Sequence, residues 1–151
     1  MSLLQHRPDL LERAYQATKR LLSPFRPWLK PGGWTERIFV WGERITKGPV
    51  FDCRMCGQCV LHATGMTCPM TCPKNMRNGP CGGVRLDGQC EIDPDRPCIW
   101  VLAWQRSQRM PVYGAAIGGV LPPLDRRLQD TSAWINELRA DAPRPPAGWD
   151  E

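Results

Sequence analysis

Residues 53–59 read Cys53-Arg54-Met55-Cys56-Gly57-Gln58-Cys59, and this run decides what kind of fold the chain adopts. Three thiols at two-residue intervals form a tight turn able to hold three corners of an iron–sulfur cubane. A distant cysteine, often followed by proline, supplies the fourth. Cys68-Pro69 and Cys72-Pro73 both offer that context. Further outward come Cys81, Cys90 and Cys98, so all eight cysteines of the 151-residue chain fall within 53–98 and the flanks hold none. A tetrahedral zinc site more often uses two separated C-x2-C hooks. No second hook is present, which makes zinc alone in the first run the weaker reading.

One [4Fe-4S] cluster uses four cysteines, and the four left over match a closed zinc site or a second cluster. The spacing supports a cluster on Cys53, Cys56, Cys59 and Cys68 with a structural zinc on Cys72, Cys81, Cys90 and Cys98. An interleaved set, with Cys72 or Cys98 closing the cluster, stays open, because two-cluster ferredoxins exchange their fourth ligand in that way. Glycines beside the ligands, as in Asn78-Gly79-Pro80-Cys81-Gly82-Gly83, let backbone N–H groups turn toward sulfur. Met55, Met66, Met70 and Met76 lie in the same window and are expected to be buried, as gap fillers or as a shield against water. His62 is an alternative ligand that eight cysteines make unnecessary.

Compartment and charge narrow the function. Residues 1–20 contain His6, Arg7, Asp9, Glu12 and Arg13 and lack an apolar stretch typical of a secretory leader. The expected location is therefore the cytoplasm, where disulfides do not persist and clustered cysteines bind metal. Residues 110–124 are uncharged but broken by Pro111, Pro122 and Pro123, and they fall short of the roughly 20 apolar residues of a membrane span. The formal charge of +5 suggests nucleic acid at first sight. However, 9 of the 20 Lys and Arg lie in 1–52, and none are clustered with aromatics around the cysteines. Eight thiolates, an oxidised cluster core and a zinc together carry about −4, leaving about +1, so the basic excess reads as counter-charge. Neither membrane nor nucleic acid is an expected partner.

Apolar residues at three- and four-residue spacing predict a helix over 8–22, closed by Ser23-Pro24. A Pro/Gly connector follows, then a helix over 35–47 with Thr35 as N-cap and Lys47-Gly48-Pro49 as stop, a strand being the runner-up. The cysteine region shows no long period. A helix over 99–108 follows Cys98, then a Gly/Pro linker over 110–123. Leu124, Leu128, Thr131, Ile135 and Leu138 predict a helix over 124–140 before a Pro-rich tail, 141–151, expected to be disordered in isolation. The expected fold class is a small irregular Cys-rich metal-binding core with α-helical arms and little β. Its divisions are 1–49, 50–108 and 109–151. The arms either embrace a partner subunit or fold back over the metal knot, and the two are compatible.

Phe51-Asp52-Cys53 through Cys59, Thr64-Gly65-Met66-Thr67-Cys68-Pro69-Met70-Thr71-Cys72-Pro73-Lys74, the Asn78–Gly83 segment quoted above, Gly88-Gln89-Cys90-Glu91 and Cys98-Ile99-Trp100 together resemble one family. It is the methylenetetrahydrofolate reductase C-terminal domain, the MetV-type small subunit of bacterial enzymes. The likeness covers about 51–104, and the phrase from Thr131 to Asn136 is similar to a second family segment. It implies a heteromeric oxidoreductase of one-carbon metabolism. A TIM-barrel subunit carrying FAD or FMN reduces methylenetetrahydrofolate, and the small iron–sulfur subunit, in some descriptions with zinc, relays electrons from ferredoxin or another iron–sulfur donor. With no barrel and no Gly-rich dinucleotide turn, the chain is expected not to catalyse folate chemistry alone. A purely structural assembly subunit and a zinc-binding nucleic-acid module are the alternatives.

Overall fold

The computed structural model describes residues 3–140, and the predicted disordered tail lies outside them. Four α-helices carry the regular structure: α1 (Pro8–Leu22), α2 (Trp34–Phe51), α3 (Ile99–Ser107) and α4 (Ala133–Arg139). Single 3-10 turns punctuate the remainder. Two isolated antiparallel bridges, Val84 with Cys90 and Gln89 with Pro97, are the β structure of the described residues. The expectation of a mostly helical chain with little β holds.

Helix α1 has Pro8 at its first position, where the missing N–H costs nothing, and Lys19 and Arg20 in its last turn, where they complement the dipole. It lies back over the cysteine region. Glu12, fully buried, accepts the backbone N–H groups of Val112 (3.2 Å) and Tyr113 (2.6 Å) through Oε1. Tyr15 Oη and Lys19 Nζ both donate to Glu137 Oε1 (3.2 and 2.8 Å), which pins α1 to α4. The described helices thus fold over the knot.

Two boundaries differ from expectation. Helix α2 starts at Trp34, with Gly33 rather than Thr35 at the N-cap, and runs through Pro49 to Phe51. Pro49 removes one helical hydrogen bond. The packing of Phe51 beside Leu61, Met66 and Met110 favours continuing the turn. Asp52 then ends the helix in a left-handed conformation, its N–H donating to Gly48 O (2.8 Å). The helix expected over 124–140 is confined to Ala133–Arg139. Asp125 accepts from Arg127 N (2.9 Å), Asp130 is left-handed, and the Ser132 hydroxyl caps α4 by accepting from Ile135 N (3.3 Å). Short polar side chains that bond to nearby backbone break the helix in spite of its apolar seam.

The apolar interior is split into three small clusters: Leu29 with Ile135 and Leu138, Leu61 with Met66 and Met110, and Cys98 with Trp100 and Ala103. No single large core unites the described residues. Among them, no helix is long and apolar enough to cross a membrane.

Candidate metal centre

The end of α2 feeds directly into the first cysteine run. Asp52, Met55 and Gly57 all have positive φ, and this repeated left-handed backbone curls the C-x2-C-x2-C segment into a tight loop. Gly57 is required there on two counts. Its φ is +72°, and a Cβ built on it would fall on the carbonyl oxygen of Leu128. The segment before α4 thereby lies against the loop. Asn136 Nδ2 fastens it by donating to Gly57 O (2.9 Å) and Thr131 Oγ1 (2.8 Å).

Cys53, Cys56, Cys59 and Cys68 line one cavity, together with Phe51, Met55, Val60, Leu61 and Met70. A backbone N–H turns toward one of the sulfurs from two residues downstream. Met55 N donates to Cys53 Sγ (3.4 Å), and the backbone at Leu61 and Met70 lowers the Cys59 and Cys68 thiols against the effect of burial. Met55, Met66 and Met70 are buried, as expected, and Met76 is half-buried against the Trp100 cluster.

Two buried cations flank this cavity, and sequence reasoning did not find them. Lys47 is 8% exposed and its Nζ donates to Glu43 Oε2 (2.8 Å), Glu43 itself being 3% exposed. Arg77 is also 8% exposed. Its Nε donates to Pro122 O (2.7 Å) and its Nη2 to Gln58 O (3.2 Å), and the guanidinium lies beside the Cys56 thiol. No carboxylate is paired with it in any ion pair of the described residues. A buried guanidinium without a carboxylate is expensive unless an anion stands nearby.

The electrostatics agree. Burial pushes the thiols of Cys53, Cys59 and Cys68 up, Cys68 to about 12, so as free thiols they hold their protons at neutral pH. Burial works to lower the Lys47 ammonium, but Cys59 and Glu43 outweigh it and raise it. Burial lowers Arg77, opposed chiefly by Cys56 and Cys59. Such a site favours thiolates once a cationic metal core displaces the protons.

The later cysteines occupy a different neighbourhood. Cys81 is exposed, Cys90 and Cys72 are half-buried, and Cys98 is buried at the head of α3. Glu91 N to Gly83 O (3.2 Å), Cys90 N to Arg96 O (2.9 Å) and Cys98 N to Gly88 O (3.0 Å) knit Cys81, Cys90 and Cys98 into one loop cluster. Arg96 Nη1 ties it to Thr71 O (3.0 Å), next to Cys72. Gly83 N donates to Cys81 Sγ (3.4 Å), repeating the two-residue pattern.

Among the described residues, no three Cys, His, Asp or Glu side chains converge on a point that would hold one ion. Four cysteines share the lining of one cavity without converging as ligands of a single ion. The four-thiol donor set, the Met55 N–H aimed at Cys53 Sγ and the buried Arg77 guanidinium beside Cys56 are chemically compatible with an anionic four-thiolate cluster. His62 stacks on Tyr15 (5.2 Å between ring centroids) and meets Tyr113 edge-on, and it does not line the cavity.

Residues 34–126, from the start of α2 to beyond the Gly/Pro linker, match the family described as methylene-tetrahydrofolate reductase C terminal. No curated protein and no solved structure matches the chain.

Proposed function

The chain belongs to the methylene-tetrahydrofolate reductase C-terminal family, and from that premise we propose that it is the small iron–sulfur subunit of a methylenetetrahydrofolate reductase, docked to a flavin-bearing TIM-barrel subunit. Cys53, Cys56, Cys59 and Cys68 hold a [4Fe-4S] cluster in this reading. Cys72, Cys81, Cys90 and Cys98 hold a structural zinc that keeps the 72–98 loops in shape. The observation that carries it is the cavity walled by four cysteines and flanked by two buried cations.

When bound, such a cluster supplies one-electron transfer between a donor of the ferredoxin type and the partner's flavin. The chain's own residues do the remaining work. Met55, Met70, Phe51 and Leu61 keep water from the sulfurs. The N–H group of Met55 holds Cys53 Sγ in orientation, and the backbone at Leu61 and Met70 favours the thiolates of Cys59 and Cys68. Lys47 and Arg77 offset the negative charge of four thiolates, and Glu43 holds Lys47 in place.

Replacing Cys56 by Ala tests the reading. The expected result is loss of visible absorbance and of ferredoxin-linked reduction of the partner's flavin, with turnover from chemically reduced flavin retained in the complex. Unchanged donor-linked activity rejects the relay and favours a purely structural subunit.

A further inference from the structure

Helix α2 is turned the wrong way round for a helix whose only partner is its own chain. Its inner face presents Glu36, Phe39, Glu43 and Lys47. Glu36 and Glu43 accept from Ser132 and Trp134 at the head of α4, and Lys47 reaches the cysteine cavity. Its outer face presents Trp34, Ile38, Trp41 and Ile45, which step by 4, 3 and 4 residues along a single stripe. They are 73, 55, 67 and 50% exposed. An isolated amphipathic helix puts its apolar stripe inward and its charges outward.

The stripe is large enough to decide its purpose. With about 250 Å² for a tryptophan and somewhat less for an isoleucine, these four side chains expose roughly 500 Å². That lies toward the upper end of the 300–600 Å² of a typical monomer's largest patch, and patches of that size are often functional. It is more than half of the roughly 800 Å² that one partner contributes to a standard interface, and tryptophan is the residue most often found at its energetic centre. Arg37 and Arg44 border the stripe along one edge, both exposed, with Arg44 bound to Asp130 (2.9 Å). Antiparallel pairing of two copies through the stripe would bring the Arg37 and Arg44 edges of both copies to the same side, which disfavours that pairing.

We propose that the Trp34–Ile38–Trp41–Ile45 stripe is the docking face for a separate folded subunit that offers an apolar groove with carboxylates along the Arg37 and Arg44 edge. The identity of that subunit as the flavin-bearing barrel rests on the function proposed above; the surface itself does not. Its position suits electron delivery. A subunit seated on the outer face of α2 lies about one helix diameter, roughly 10–12 Å, from the side that carries Lys47 and the cysteine cavity.

The test is co-expression of the full chain with the flavin-binding methylenetetrahydrofolate reductase subunit, followed by sizing with light scattering and by iron and flavin analysis. Trp41→Glu and Trp34→Glu are compared with Trp104→Glu, which alters an exposed tryptophan on α3 away from the stripe. The expected result is co-elution of the wild type, an affinity at least 30-fold weaker for Trp41→Glu, and no change for Trp104→Glu. Circular dichroism and iron content of the Trp41→Glu chain alone should match the wild type, showing that the fold is intact. Equal binding by Trp41→Glu and wild type overturns the proposal. So does a stripe variant that abolishes only a homodimer, because the occupant is then a second copy. An iron-loaded wild type that does not bind the flavin subunit overturns that subunit as the occupant while leaving the cluster reading standing. Stripe-dependent binding by an iron-free chain supports the docking face and removes the relay.

Discussion

Replacing Glu43 by Ala strikes the joint between α2, α4 and the cysteine cavity. Glu43 accepts three hydrogen bonds: from Lys47 Nζ (2.8 Å), Ser132 Oγ (2.7 Å) and Trp134 N (3.1 Å). Its removal leaves a buried ammonium without its carboxylate, and breaking a buried pair in this way costs about 3–5 kcal/mol. The orphaned hydroxyl and N–H add to that, but water entering the space left by the carboxylate returns part of it, and a net loss of about 4 kcal/mol is expected. For a chain of this size unfolding in urea with a slope of about 2 kcal/mol/M, the midpoint of the metal-free protein should fall by about 2 M. Tryptophan fluorescence reads the transition, since Trp134 lies at the joint. Glu43→Gln keeps an acceptor for Ser132 or Trp134 and should lose about half as much. Adding Lys47→Met to Glu43→Ala removes the stranded charge and should restore more than about 1 kcal/mol. A midpoint shift for Glu43→Ala below about 0.5 M would refute the account of this joint, because it would mean less than about 1 kcal/mol rests on it.

Other perturbations probe other parts of the structure. Gly57→Ala places a Cβ on the Leu128 carbonyl in a left-handed backbone, so it should cost about 2–4 kcal/mol and lower iron retention, read by melting and iron analysis; an unchanged melting temperature contradicts the packing. Arg77→Gln removes a buried cation beside Cys56 and should shift the cluster's midpoint potential to more negative values in an EPR-monitored titration, with Arg77→Lys between the two; an unmoved potential denies Arg77 its electrostatic role. Burial holds the His62 imidazole below its usual range, so its contribution to stability is present above about pH 6.5 and is lost as pH falls through the folded value. His62→Phe should therefore flatten the acid side of the stability profile of the metal-free chain, and an identical slope below pH 6.5 would count against this.

The parts legible in the sequence were those set by local chemistry. Pro8 and Ser23-Pro24 bracket α1, Cys98 heads α3, and the two-residue thiol spacing singles out the first cysteine run, because each of these rests on neighbours a few residues apart. What failed depended on distant partners. The stop at Lys47-Gly48-Pro49 was overridden by Phe51, which packs against residues beyond Val60. The seam from Leu124 to Leu138 has helical spacing, but its first half is laid against Gly57 instead. Arg77 and Lys47 carry no local mark of their place at the cavity. Arg77 is fixed by carbonyls at positions 58 and 122, and Lys47 differs from any surface lysine only in what folds around it. The outward turn of Trp34 and Trp41 is hidden for the same reason, since a helical wheel shows two faces without saying which one is buried.

The central claim is that Cys53, Cys56, Cys59 and Cys68 hold a four-iron cluster while the later cysteines hold a separate zinc. Metal and sulfide analysis of the anaerobically purified chain tests it most directly. About four iron, four sulfide and one zinc per chain are predicted, with the iron lost and the zinc kept in Cys56→Ala. About eight iron and no zinc would contradict the pairing, and a colourless chain holding zinc alone would contradict the cluster itself.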